Sequence, residues 1–186
     1  QPFTSCTQLV PELGEAIHVV WAFSKDFGAS GLRCGVLLSE NQRLLQAMDA
    51  LGYWACVSGH TQFLLGEVIS DQAWVDTYLA EVRESLRNAY RQVTEALGEA
   101  GIPYVPAEAG FFLLCDFRSF LPEPTWEAEH ALWRRLLDEA NVNLTPGHSC
   151  HIAEPGFLRL CFASVSTEAV VTGVRRLAGV VSGHDS

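Results

Sequence analysis

Hydrophobic residues along the chain fall into two patterns, each predicting a different kind of element. Short continuous runs, β-branched or aromatic and bounded by turn residues, predict buried strands. Four such runs are Ile17-His18-Val19-Val20-Trp21-Ala22-Phe23, Val36-Leu37-Leu38, Phe111–Phe117 and Phe157–Phe162. Spacing of three and four residues predicts helices. From Asp71 onward, Trp74, Tyr78, Val82, Leu86, Ala89, Val93, Leu97 and Ala100 line one face of an amphipathic helix of about seven to eight turns. Gly98 or Gly101 should end it, with Pro103 behind as a stop. Ser39 or Asn41 is placed to cap a helix reaching about Leu51 and stopped by Gly52, and a further helix should cover His60 to Ile69. Thr125–Ala140 predicts a helix with Trp126, Leu132, Trp133, Leu136 and Leu137 as apolar members, and Thr167–Val181 a closing one. Residues 1–16, with polar and Pro/Gly punctuation, read as a loop or surface segment. Strands separated by helices indicate a mixed α/β fold. There is no internal repeat, low-complexity segment or flexible linker.

The first run feeds directly into Ser24-Lys25-Asp26-Phe27-Gly28-Ala29-Ser30-Gly31-Leu32-Arg33-Cys34-Gly35. A lysine thus stands where an apolar strand gives way to a glycine-rich loop, with an arginine eight residues downstream. A lysine amine attacks an aldehyde only when deprotonated, and burial beside apolar rings near a second cation lowers its pKa. Phe23, Phe27 and Arg33 can supply those surroundings. Glycines 28, 31 and 35 permit close backbone approach to a ligand. Arg33 offers a planar fork for a phosphate and Ser24 a hydroxyl. The pattern suits a lysine holding an aldehyde cofactor beside an arginine gripping its phosphate. The competing reading is a solvated surface lysine beside a serine.

Composition sharpens that choice. Lys25 is the only lysine, the other eleven of the 12 basic residues being arginines, so it is not one of a set of solubilising surface cations. The 22 acidic residues leave a net charge of −10, which argues against a broad nucleic-acid surface. At 186 residues with 48% hydrophobic and 10% aromatic content, the chain can bury a core of one domain, or of a small domain with part of another. No run of about 18 uncharged apolar residues exists, so no membrane span is expected, and the opening residues, lacking a basic region followed by an apolar run, are not expected to be a secretory signal. Six scattered cysteines, several within apolar runs, read as reduced, buried thiols of a cytoplasmic protein.

Other candidates carry less. His148-Ser149-Cys150-His151 gathers three ligand types but lacks a fourth ligand and a second spaced pair, so a turn after Pro146-Gly147 is preferred to a metal site. Cys150 and His151, if in a strand, would point to opposite faces, against a thiol nucleophile. Arg134-Arg135 and Arg175-Arg176 read as solvated helix faces, and the five tryptophans as core. Arg159 taken alone reads as a strand arginine paired with a carboxylate.

The block Ser24-Lys25-Asp26-Phe27-Gly28…Gly31-Leu32-Arg33-Cys34-Gly35 resembles the cofactor-lysine motif of fold-type I pyridoxal-phosphate enzymes, and most of all the 1-aminocyclopropane-1-carboxylate (ACC) synthase and ACC-synthase-like branch of the aminotransferase superfamily. Ser149-Cys150-His151…Glu154-Pro155-Gly156-Phe157-Leu158-Arg159-Leu160-Cys161-Phe162-Ala163 resembles that branch's C-terminal signature. Ala109-Gly110-Phe111-Phe112 and Phe120…Glu127…Trp133 are similar to its small domain. The resemblance runs from about Ile17 onward. It implies residues 1–70 as the end of the large cofactor domain, 71–101 as a long interdomain helix and 102–186 as a small C-terminal α/β domain. It implies pyridoxal 5′-phosphate as cofactor, with Lys25 the Schiff-base lysine and later a general base at the substrate α-carbon. Arg33 and Ser24 would then meet the phosphate and Arg159 the substrate α-carboxylate. By the same implication the substrate is an α-amino acid, S-adenosylmethionine if ACC and methylthioadenosine are the products, and the protein is a homodimer with no nucleic-acid or membrane partner.

Two positions depart from the pattern. The phosphate-binding hydroxyl usual three residues before the lysine is replaced by Ala22, and Phe157-Leu158 replaces a tryptophan-containing lead-in to Arg159. The resemblance also implies that an N-terminal half supplies the carboxylate facing the pyridine nitrogen, the stacking ring and much of the dimer interface, so that these residues correspond to a C-terminal portion inactive by itself. Transamination is an alternative chemistry, because it shares the first deprotonation. A non-catalytic relative serving as a binding or regulatory subunit is the alternative of another class.

Overall fold

Each of the four apolar runs contains a strand, and each periodic segment a helix, in a computed structural model that describes residues 3–183. Residues 1, 2 and 184–186, where the first and last expected segments begin and end, lie outside the described residues. The chain packs as two units, Gln1–Val82 and Arg83–Ser186, with the boundary inside the longest helix.

In the first unit a 3₁₀ turn at Cys6–Gln8, capped by Ser5, precedes strand β1 (Val19–Ala22). One turn of helix, α1 (Phe23–Asp26), and a 3₁₀ turn (Ser30–Leu32) lead into β2 (Gly35–Leu38), which pairs antiparallel with β1 from Val19↔Leu38 to Ala22↔Gly35. The strand is shorter than its apolar run because Phe23 leaves it. The Phe23 amide bonds the Cys34 carbonyl at 3.2 Å, and its own carbonyl accepts from Ala29 at 3.1 Å. Helix α2 (Gln42–Ala55) starts where Asn41 Oδ1 accepts from the Leu44 amide at 3.0 Å. It runs through Gly52 instead of stopping there, since an interior glycine costs only about 1 kcal/mol. Ser58 caps α3 (Gly59–Ser70), and Asp71 Oδ1 accepts from the Trp74 amide at 3.0 Å to open α4 (Gln72–Glu99). Among this unit's described residues, the buried apolar side chains are Phe23, Leu65 and Val75, while Tyr53, Trp54 and Phe63 are exposed.

The second unit takes over α4 at Arg83 and holds a much larger core. Gly101, at φ +65°, reverses the chain after α4, where the Ile102 amide bonds the Leu97 carbonyl at 3.0 Å. Strands β3 (Tyr104–Val105), β4 (Phe112–Asp116), β5 (Thr145–Pro146) and β6 (Phe157–Cys161) form one antiparallel sheet in the order β3-β4-β6-β5. The two-residue strands β3 and β5 carry no apolar run and were beyond prediction. Helices α5 (Trp126–Ala140), capped by Thr125, and α6 (Thr167–Ser182), capped by Ser166, share the core with α4 and the sheet. Val93, Leu97, Leu136, Leu158 and Leu177 are sealed from solvent there, each such burial stabilising by about 1.5–3 kcal/mol. Burial alternates along β4 and β6, so Leu113, Cys115, Leu158 and Leu160 face the core. Arg159, Leu114 and Phe112 take the other face.

Three expectations need correction. None of the five tryptophans is buried: Trp54 and Trp74 are exposed, and Trp21, Trp126 and Trp133 half-buried, since indole rings cover the edges of these small cores. The cysteines are all free, yet only Cys115 is buried, and Cys6 and Cys56 are exposed. Cys150 and His151 lie at a 3₁₀ turn (His148–Cys150), with His151 left-handed at φ +57°, and not in a strand. Among the described residues no helix is long and apolar enough to cross a membrane.

Candidate functional site

The sole lysine sits on a single turn of helix that cannot be stable by itself, because a four-residue helix has hardly begun to propagate. Side chains brace it. Trp21 on β1 donates its indole Nε1–H to Asp26 Oδ2 at 2.6 Å, tying the residue after Lys25 back to the strand. The rings continue the brace. Trp21 meets Phe23 edge-on with centroids 4.6 Å apart, Phe23 lies 5.4 Å from Phe27, and Phe27 stacks on Tyr78 of α4 at 5.6 Å. Gly28, at φ +60°, turns the backbone over this floor, where an added Cβ would sit 4.0 Å from the Tyr78 hydroxyl oxygen. Asp26, Trp21 and Tyr78 went unrecognised in the sequence as parts of the lysine's support. The adjacency of Asp26 to Lys25 and the four-residue spacing from Trp74 to Tyr78 were the available signals.

Ser24 is half-buried, and Lys25 and Arg33 are exposed. Arg33 adopts a left-handed conformation, φ 51° and ψ 39°, and its Nη1 donates to the Ser30 carbonyl at 3.0 Å. That conformation costs a non-glycine residue roughly 1–2 kcal/mol, and such strain is concentrated at functional sites. Ala22, at the start of α1, makes no side-chain cap. An amine, a hydroxyl and a guanidinium therefore stand on one braced strand-to-loop segment. This donor set suits an aldehyde that also carries a phosphate.

Arg159 stands in the second unit, in the middle of β6, paired with Leu114 on one side and Thr145 on the other. Its guanidinium carbon lies 4.3 Å above the Phe112 ring, and Nη2 reaches Thr145 Oγ1 at 3.4 Å. Its Nε is buried and has no acceptor. Among the described residues no carboxylate forms an ion pair with it, which removes the reading of a strand arginine paired with an acid. A half-buried guanidinium with no acidic partner is suited to an anion.

The turn leading into β6 is held from α5 and from the end of β4 by residues that the sequence did not single out. Glu129, 2% exposed, accepts from the Gly156 amide at 2.7 Å and the His148 amide at 3.2 Å. It lies three residues after Trp126 and three before Leu132, on the apolar stripe of α5, and that placement was the missed signal. Arg118 makes a two-pronged bond to Asp116, Nε to Oδ1 at 2.9 Å and Nη2 to Oδ2 at 2.7 Å, and reaches Glu154 at 3.1 Å. The bond from Arg118 holds the Asp116 carboxyl below its usual range and pushes the Arg118 guanidinium up. Burial pushes the Cys115 thiol up to about 12. Arg135 is half-buried and donates to the Val180 carbonyl at 2.9 Å as well as pairing with Glu139, so it links α5 to α6 and is not simply solvated. The described residues contain no group of three or more His, Cys, Asp or Glu side chains that could hold a metal.

Comparison with known proteins gives this arrangement its context. Residues 3–177 match the family Aminotransferase class I and II. Over 98% of its length the chain is 35% identical to 1-aminocyclopropane-1-carboxylate synthase 11 of Arabidopsis thaliana, covering 41% of that protein. Among solved structures, it superposes on an aromatic aminotransferase from Pyrococcus horikoshii with a TM-score of 0.85 at 21% identity, covering 98% of this chain and 47% of that one. It matches an aspartate aminotransferase from Thermus thermophilus with maleate at a TM-score of 0.79 and 25% identity, over 95% and 43% of the two chains. The chain thus spans about two fifths of the length of the curated relative, with a mixed helix and strand architecture that is part of the aminotransferase fold. Strand, braced lysine turn, long helix and four-stranded sheet follow one another along a match that spans nearly the whole chain, and the chain belongs to the aminotransferase class I and II family.

Proposed function

We propose that this chain is the lysine-bearing C-terminal portion of a pyridoxal-phosphate enzyme acting on an α-amino acid, with ACC-synthase-like chemistry on S-adenosylmethionine. The observation that carries the reading is the position of the only lysine. Lys25 sits within a one-turn helix braced by the Trp21–Asp26 bond, within residues matched to the family. Pyridoxal phosphate, when bound, supplies an aldehyde for covalent attachment and an electron sink for the substrate α-carbon. Lys25 supplies the amine that meets the aldehyde. Arg33 would offset the charge of the phosphate, and the Ser24 hydroxyl would donate a hydrogen bond to it. The Lys25 amine would also be the base that takes the proton from the substrate α-carbon. Arg159 would orient the α-carboxylate through its guanidinium, which no acidic side chain among the described residues occupies. The exposed apolar side chains of the first unit, Tyr53, Trp54 and Phe63 among them, favour a larger assembly, with an N-terminal half and a second subunit completing the site.

The Thermus relative is an aspartate aminotransferase and supports transamination as the second reading, in which the same lysine would serve as the proton carrier. The test uses the full-length protein with added pyridoxal phosphate. A visible absorbance band that disappears in Lys25→Ala is the expected result, and no band at saturating cofactor refutes the proposal. Product identification after supplying S-adenosylmethionine or common amino acids separates cyclisation from transamination.

A further inference from the structure

We infer that Glu129 is the positioning residue for Arg159, a buried carboxylate that clasps both ends of the loop from which the arginine's strand emerges. The inference rests on the reading of Arg159 as the α-carboxylate receptor. Residues 147–156 connect β5 to β6, the two strands that bring Thr145 alongside Arg159. Glu129 reaches both ends of that connection from the first turn of α5. Its Oε1 accepts from the His148 amide at 3.2 Å, and its Oε2 from the Gly156 amide at 2.7 Å.

Neither end has room to drift. A Cβ on Gly147 would collide with the Phe157 carbonyl oxygen and lie 3.2 Å from Glu129 Oε2. A Cβ on Gly156, which sits at φ +102°, would lie 2.6 Å from Arg118 Cγ. The Gly156 carbonyl is also held, accepting from the Phe117 amide at 2.7 Å. Arg159 follows three residues later along a strand that rises about 3.3 Å per residue, so displacement of the turn carries into the position of the guanidinium.

The choice of a carboxylate is informative. Burying a charge is costly unless several donors meet it, and here two backbone amides do so, with no cationic side chain paired to Glu129 among the described residues. A neutral amide cannot do the same work, because its NH₂ would face one of the two N–H donors. The clasp therefore depends on an acceptor-only group, and its effect on function is exerted through Arg159 without contact with substrate.

The test measures binding to the full-length protein loaded with cofactor, by isothermal titration calorimetry. The probes are 4-(methylthio)butanoate, which carries a carboxylate but no reactive amine, and its neutral amide. Wild type should prefer the carboxylate, and Arg159→Gln should abolish the preference. Glu129→Gln should weaken carboxylate binding about tenfold, the loss of one charge-assisted bond, while leaving the amide probe unaffected. The double variant should be no weaker than Arg159→Gln alone.

If Arg159→Gln keeps the preference, the functional reading fails. If Arg159→Gln loses it while Glu129→Gln keeps full carboxylate affinity, or weakens both probes equally, the positioning role is overturned and the functional reading stands. Circular dichroism checks the fold. Should Glu129→Gln not fold, Glu129→Asp keeps the charge on a shorter arm and should show the same carboxylate-specific loss, and unchanged affinity in it overturns the inference.

Discussion

Gly156→Ala should be among the most damaging single-methyl additions possible in the second unit. At φ +102° an alanine is strained, at a cost of order 1–3 kcal/mol. Its methyl would also meet Arg118 Cγ at 2.6 Å, Cα at 3.1 Å and N at 3.2 Å. The side-chain atom can swing aside, although that loosens the Asp116 and Glu154 bonds, but the two backbone atoms cannot. Overpacking of this kind costs about 1–3 kcal/mol. Relief by shifting the turn would stretch the 2.7 Å bond to Glu129, a charge-assisted contact worth about 1.5–3 kcal/mol. Because relieving one penalty incurs another, a total of about 3–5 kcal/mol follows, a large part of a domain's stability.

Gly101→Ala is the matched control, with φ +65° and nothing within 4 Å of the added carbon, so that only about 1–2 kcal/mol of backbone strain applies. Urea unfolding followed by circular dichroism gives both values from midpoints at unchanged slope. A difference of less than about 1 kcal/mol between the two variants would refute the steric argument for the turn.

Two further outcomes follow from the electrostatics of the same unit. The bond from Arg118 lowers the Asp116 pKa from its ordinary 3.8, so the pair's stabilisation is fully present above that value and is lost as pH falls through the lower folded pKa. Acid unfolding curves of wild type and Asp116→Asn should therefore converge at low pH and separate at neutral pH, and parallel curves would contradict the linkage. With its pKa raised to about 12 by burial, Cys115 should resist a thiol-specific chromogenic reagent until the protein unfolds, whereas exposed Cys6 and Cys56 react at once. Early labelling of Cys115 by mass spectrometry would count against that core.

The elements legible in the sequence were those whose stabilisation is local or periodic. Asn41, Ser58, Asp71, Thr125 and Ser166 cap helices through their own side chains, and β4 and β6 announce themselves as apolar runs. The two-residue strands β3 and β5 exist only because β4 and β6 offer them edges, so no local pattern could mark them. Lys25, Ser24, Arg33 and Arg159 stood out through residue type and motif. Their supports did not, because the Trp21–Asp26 bond needs the sharp turn from strand into helix at Phe23, and the Glu129 clasp depends on where the chain returns in space.

The contrast between the two units explains why the tryptophans of the first unit misled. In the second unit the periodic residues of α4, α5 and α6 converge on one sheet, so spacing and burial agree, as at Val93, Leu136 and Val174. In the first unit α2 buries none of its residues, and α3 buries only Leu65. Their apolar residues are just as abundant, yet Trp54 is 83% and Phe63 72% exposed. Apolar content specifies a surface that favours cover, and only topology decides whether the cover is internal. Apolar residues so placed mark a binding face more often than a defect. The lysine turn illustrates the consequence, since its rings from Trp21 through Phe27 to Tyr78 pack on one another along the turn that carries Lys25.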